Sequence, residues 1–143
     1  MNTFDEIVEH LNTRNEEIRR NDNDVCTLAR RLANRVETRL AAPAGTVSWG
    51  VWNVDETFDN ANFEFENNTY RFTMQCAFPV AESRHLIHSM VYAQVTAGHL
   101  RANVKGVSPV SIPLPVDIDD SNLQALAEHL LADVRNKISE ILR

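Results

Sequence analysis

Glycine is scarce in this chain, with four in 143 residues. None sits in G-x-G-x-x-G, in a Walker-type loop or in G-x-S-x-G, and H-E-x-x-H is missing too. Phosphate-cradling loops of the familiar kinds, the nucleophile elbow and the helical zinc motif are therefore excluded. Cysteine is scarcer still. Cys26 and Cys76 stand far apart in different predicted elements, which suits two buried thiols in a reducing compartment better than a disulfide. Long apolar runs are lacking: no window approaches the roughly 18 residues needed to cross a bilayer, and the start MNTFDEIVEH is acidic where a signal peptide is basic. A cytoplasmic protein without membrane association is the expectation. Positive charge is in deficit, 14 Lys and Arg against 20 Asp and Glu for a net charge of -6. That balance argues against general nucleic-acid binding, which depends on neutralising phosphate.

What is present fits a folded chain. Hydrophobic residues make up 43% and charged residues 24%, close to the averages for globular proteins, and a chain this long can bury roughly two-thirds of its unfolded surface. The pattern predicts a single α+β domain over residues 1–143. Residues 1–42 form a helix or helix pair, residues 46–116 an antiparallel β-sheet of about four or five strands in meander order, and residues 119–143 a long C-terminal helix packed on the sheet.

Thr3 can cap a first helix, with Asp5 and Glu6 at its positive end, and Phe4, Ile7, Val8, Leu11 and Ile18 recur at helical spacing. Asn21-Asp22-Asn23-Asp24 interrupts the pattern with four residues that compete for backbone hydrogen bonds. Either two helices meet there or one helix runs through a wet segment. The stripe Val25, Leu28, Ala29, Leu32, Val36 and Leu40 follows, ended by Pro43 and Gly45. Phe4, Ile7, Leu11, Ile18, Val25, Leu28 and Leu32 also fit a seven-residue repeat, broken at its intervening seam positions by Arg14 and Asn21. The last helix has a buried stripe of Leu123, Leu126, Leu130, Val134, Ile138 and Ile141. Leu131 and Leu142 lie beside it as a candidate self-association surface.

Val47, Trp49 and Val51 alternate with Ser48, Gly50 and Trp52 in a first strand. A turn at Asn67-Asn68 places Phe65 opposite Tyr70, Glu64 opposite Arg71 and Phe63 opposite Phe72. The face Tyr70, Phe72, Met74, Cys76 and Phe78 is apolar, and Pro79 is expected to end the strand. Residues 82–96 fit a helix or a strand. A tight turn at Ala97-Gly98 favours the strand, because it pairs Val95 with Leu100, Ala93 with Ala102 and Val91 with Val104. The proline-rich stretch Ser108 to Pro115 suits a sheet edge.

Chemistry-bearing residues are few. In a strand, His85 and His88 point to opposite faces and cannot share an ion, so no metal or cofactor site is expected. Cys76 falls on the apolar face, while Cys26 would lie in the first turn of a second helix, where the dipole lowers a thiol pKa. Arg31, Arg35 and Arg39 lie four apart on one helical stripe and could grip a carboxylate or phosphate. Trp49 and Trp52 face opposite sides of their strand, with Trp49 the core member and Trp52 a candidate contact.

These observations favour a non-enzymatic binding or adaptor protein, a homodimer, with Arg31, Arg35, Arg39 and Trp52 as candidate contacts for a protein partner or an anionic small molecule. If residues 82–96 were helical, the order helix, three strands, helix, two strands, helix would resemble the type III secretion chaperones. That likeness implies binding to an extended client segment. A further alternative is an acidic inhibitor or sponge of the kind viruses and mobile elements encode, using carboxylates from Asp55 to Glu66 or the arginine stripe. A small enzyme using Tyr70 or His99 is a third.

Overall fold

The computed structural model describes residues 3–142. A single helix, α1 (Phe4–Arg39), opens the chain from a capping box in which the Thr3 hydroxyl accepts from the Glu6 N–H and the Glu6 carboxylate from the Thr3 N–H. The helix does not break at Asn21 to Asp24. Asp22 does not compete for its own backbone, because its carboxylate accepts from the Tyr70 hydroxyl at 2.8 Å.

Seven antiparallel strands follow: β1 (Val47–Trp52), β2 (Phe58–Asn60), β3 (Glu64–Glu66), β4 (Thr69–Val80), β5 (Ser83–Thr96), β6 (His99–Val104) and β7 (Val110–Pro113). The order is β2-β1-β4-β5-β6-β7, with β3 paired to β4 beyond the end of β1. The expected meander thus holds from β4 to β7. The strand count is higher than four or five chiefly because the chain after β1 doubles back as the short β2. Helix α2 (Ser121–Ile141), capped by the Asp120 carboxylate, closes the chain.

Residues 83–96 are a strand, so the element order on which the chaperone likeness depends is not the one adopted. The β5–β6 register pairs Val95 with Leu100, Ala93 with Ala102 and Val91 with Val104, as the turn at Ala97-Gly98 dictates. The β3–β4 turn likewise sets Glu64 against Arg71 and Phe65 against Tyr70. Pro79 does not end β4, which runs on to Val80. The reason is geometric. The Ala77 N–H points toward β1, where it bonds the Thr46 carbonyl, and Pro79 two residues on faces the same side past the end of β1, where no ladder donor is missed.

Both helices cover one face of the sheet. Tyr70, Phe72, Met74 and Cys76 of β4, with Ile87, Val91 and Ala93 of β5, Leu100, Ala102 and Val104 of β6 and Ile112 of β7, form one core with Val25 to Val36 of α1 and Leu123 to Val134 of α2. The C-terminal helix does not supply the spare apolar stripe, since Leu131 is fully buried and only Ile141 and Leu142 emerge at its end. The spare stripe is on α1, where Phe4, Ile7, Val8, Leu11 and Ile18 are all exposed.

Candidate functional site

On the uncovered face of the sheet, the β1–β2 hairpin is built by close contact. A Cβ added to Gly50 would come 2.2 Å from the Asp59 carbonyl oxygen, so β2 can lie where it does only because position 50 has no side chain. The hairpin tip is tied by Asp55, whose carboxylate accepts from both the amide and the hydroxyl of Thr57. Those bonds hold its pKa below the usual carboxylate range. Trp52 and Phe58 therefore emerge together from the two arms of a fixed hairpin, where they are direct cross-strand partners.

Between them and the rest of the sheet stands His88 of β5. Its imidazole stacks on the Trp52 ring at 4.3 Å between centroids and 27° between planes, and Phe58 flanks it at 6.2 Å. His88 Nε2 donates to the Gln75 side-chain oxygen at 2.8 Å across the β4–β5 pair. Burial first, and the nearby Lys137 ammonium second, push the imidazole pKa below its ordinary value, so the ring is neutral at physiological pH. A neutral imidazole stacked on an indole makes a flat, polarisable and only partly polar surface. Trp52 itself remains 38% exposed.

The cluster borders a cleft of about 570 Å³ lined by Trp52, Thr73, His88, Met90, Lys105 and the α2 pair Asp133 and Lys137. The cleft exists because β6 is shorter than β5. The last pair in that ladder is Val91 with Val104, after which the Lys105 N–H still reaches the Met90 carbonyl. Beyond it, the backbone groups of His88, Leu86 and Arg84 face the side where β6 has ended. Lys137 donates from its ammonium to the His88 carbonyl, doing with a side chain what a strand would do with an amide. Lys137 is placed by an ion pair with Asp133 at 2.9 Å, and Asp133 accepts from the buried Ser89 hydroxyl at 2.6 Å.

The arginine stripe is arranged differently from this cleft. Arg35 donates to the Gln124 side chain at 3.2 Å, and Arg39 pairs with Glu128 at 2.7 Å. Both therefore tie α1 to α2. Glu128 in turn holds Arg39 more firmly in its charged form, and the Arg39 hydrogen bond lowers the pKa of Glu128. Arg31 is partly buried on the same helix. The stripe is not brought near Trp52, which lies on the far face of the sheet.

Cys26 is not in a first helical turn. Because α1 is continuous, it lies well inside the helix, and burial followed by the Asp22 carboxylate raises its thiol pKa instead of lowering it. Burial pushes the Cys76 thiol up to about 11. Tyr70 is buried and its hydroxyl is spent on Asp22, which with burial raises its pKa well above the ordinary value. His99 is held in the β5–β6 turn by the Thr96 hydroxyl and the Ala97 carbonyl. Of the carboxylates between Asp55 and Glu66, Asp55 is spent on its turn and Glu64 pairs with Arg71 at 2.8 Å.

No family model, curated protein or solved structure matches this chain. Its function has to be argued from its own geometry.

Proposed function

We propose that this chain is a non-enzymatic binding protein that holds an extended, apolar segment of a partner protein against the uncovered face of its sheet, with Trp52 as the anchor. The observation that carries the reading is the Trp52–His88–Phe58 cluster: three ring systems gathered on a solvent-facing sheet surface beside a strand edge with unpaired backbone. Tryptophan is among the residues enriched at the energetic anchors of protein interfaces. An extended segment suits the site because the β5 edge at Arg84 and Leu86, beyond the His88 carbonyl that Lys137 already bonds, offers backbone donors and acceptors in strand geometry, which is how strand addition gains affinity. The exposed Lys105 at the rim favours a segment with a carboxylate beside its apolar residues.

The test is quantitative capture from the source cells with three baits: the unaltered chain, Trp52→Ala, and the triple variant Arg31→Gln, Arg35→Gln and Arg39→Gln. The reading expects a protein retained by the first and third baits and reduced at least tenfold on the second. A partner lost on the arginine variant and kept by Trp52→Ala would place the contact on the helix flank and overturn it.

A further inference from the structure

Helix α1 has two halves. From Val25 to Val36 its apolar stripe is sealed against the sheet and α2, whereas every residue from Thr3 to Arg20 is exposed. The outer half would extend about 25 Å at 1.5 Å per residue, and an isolated helix of that length is marginal in water. Yet Phe4, Ile7, Val8, Leu11 and Ile18 fall within a stripe about 100° wide on one side of it. Phe4 is 79% exposed and Leu11 57%. An amphipathic helix in that position needs a partner helix.

We infer that the partner is a second copy of the same segment, packed antiparallel. Charge decides the direction. Arg14 takes a seam position beside Ile7, Leu11 and Ile18, and His10 and Glu17 flank the seam on one side. A parallel pair would set Arg14 against its own copy and Glu17 beside the second copy's Asp22. An antiparallel pair with its two-fold axis between residues 12 and 13 sets Ile7 against Ile18 and Leu11 along the aliphatic stem of Arg14. The flanking positions then bring His10 to Glu17 of the second copy, a contact that occurs twice by symmetry. Arg14 and Asn21, which interrupt the seam within one chain, are accommodated in this register. Arg14 lies on a leucine, and Asn21 meets Phe4 at the edge.

A second observation supports the same register. The Tyr70 hydroxyl bond to Asp22 brings the β3–β4 hairpin to the level of α1 at which the second copy's Phe4 arrives. There Phe65 stands 55% exposed, packed on one side only, against the Tyr70 ring at 4.5 Å. Phe4 and Phe65 are the two most exposed phenylalanines among the described residues for which exposure is given, and the antiparallel register places them together.

Sedimentation equilibrium on the full chain tests the inference. The unaltered protein is expected to be a dimer at micromolar concentration. Leu11→Glu and, separately, Ile18→Lys are expected to give folded monomers with unchanged near-ultraviolet circular dichroism, because neither side chain belongs to the core, and with a helix signal that falls as the outer half of α1 frays. His10→Glu is expected to weaken the dimer several-fold, because the new carboxylate meets Glu17 of the second copy twice, and adding Glu17→Lys in the same chain to restore it. A monomeric unaltered protein, or a dimer that survives both Leu11→Glu and Ile18→Lys, overturns the interface. A dimer that His10→Glu leaves unweakened, or that it weakens without Glu17→Lys restoring it, overturns the antiparallel register.

Discussion

On one face of the sheet Phe72, Met74, Val91 and Leu100 are sealed under two helices. On the other face of the same sheet, Trp52 and Phe58 stack on His88 without a covering layer. The covered face has what a core needs: apolar side chains in register, and a polar exception, Ser89, answered by Asp133. The uncovered face has rings where an ordinary solvated face would have charge. The difference separates the side chains that hold the fold from those left uncovered, and it makes the two faces separable by mutation.

The largest separation is expected between Phe72→Ala and Trp52→Ala. Emptying the Phe72 site removes a fully buried ring and should cost about 3–5 kcal/mol of stability. Losing Trp52 should cost about 1 kcal/mol or less, as expected for a surface position. Urea unfolding of both variants checks the contrast, and equal losses would erase the distinction between the faces. Next in size is Gly50→Ala. Its added methyl meets the Asp59 carbonyl, and overpacking of this kind costs about 1–3 kcal/mol. Amide exchange should then rise along β2 while β5 and β6 stay protected, showing that the hairpin is lost before the sheet.

The smallest effect is the pH dependence of His88. Its imidazole pKa lies below the ordinary 6.5 in the folded chain, so as pH falls the unfolded chain takes up this proton first. The stability it contributes is complete above the ordinary histidine value and is lost as pH falls through the depressed one. Stability of the unaltered protein should drop between neutral pH and the acid side of that window. The difference from His88→Gln, measured by denaturation at each pH, should narrow in the same direction.

Local sequence carried the pairings that depend on a short turn. The registers across Asn67-Asn68 and Ala97-Gly98 follow from which side chains must face the core, and they also settle residues 83–96 as strand. What local sequence could not carry was contact between distant segments. Asn21 to Asp24 reads as a break until Tyr70 is placed beside Asp22. With the helix unbroken, the argument for an acidic Cys26 thiol disappears. Trp52 could be recognised as the exposed member of its pair from strand alternation. Its partner His88, 36 positions later, could not, because the β1-β4-β5 neighbourhood is set by sheet order after an irregular connection. The Lys137 bond to the His88 carbonyl is equally remote, although the early end of β6 at the Lys105-Gly106 turn was a signal that the longer β5 would keep an open edge.

The claim that the uncovered face is the binding face is tested most directly by hydrogen exchange on the complex with the partner that the unaltered bait captures. New protection is expected on the amides of residues 84–88 and around Trp52 and Phe58, with α1 and α2 unchanged along their interface through Arg35 and Arg39. Protection confined to that helix flank, with the Trp52 hairpin exchanging as in the free protein, would contradict the account.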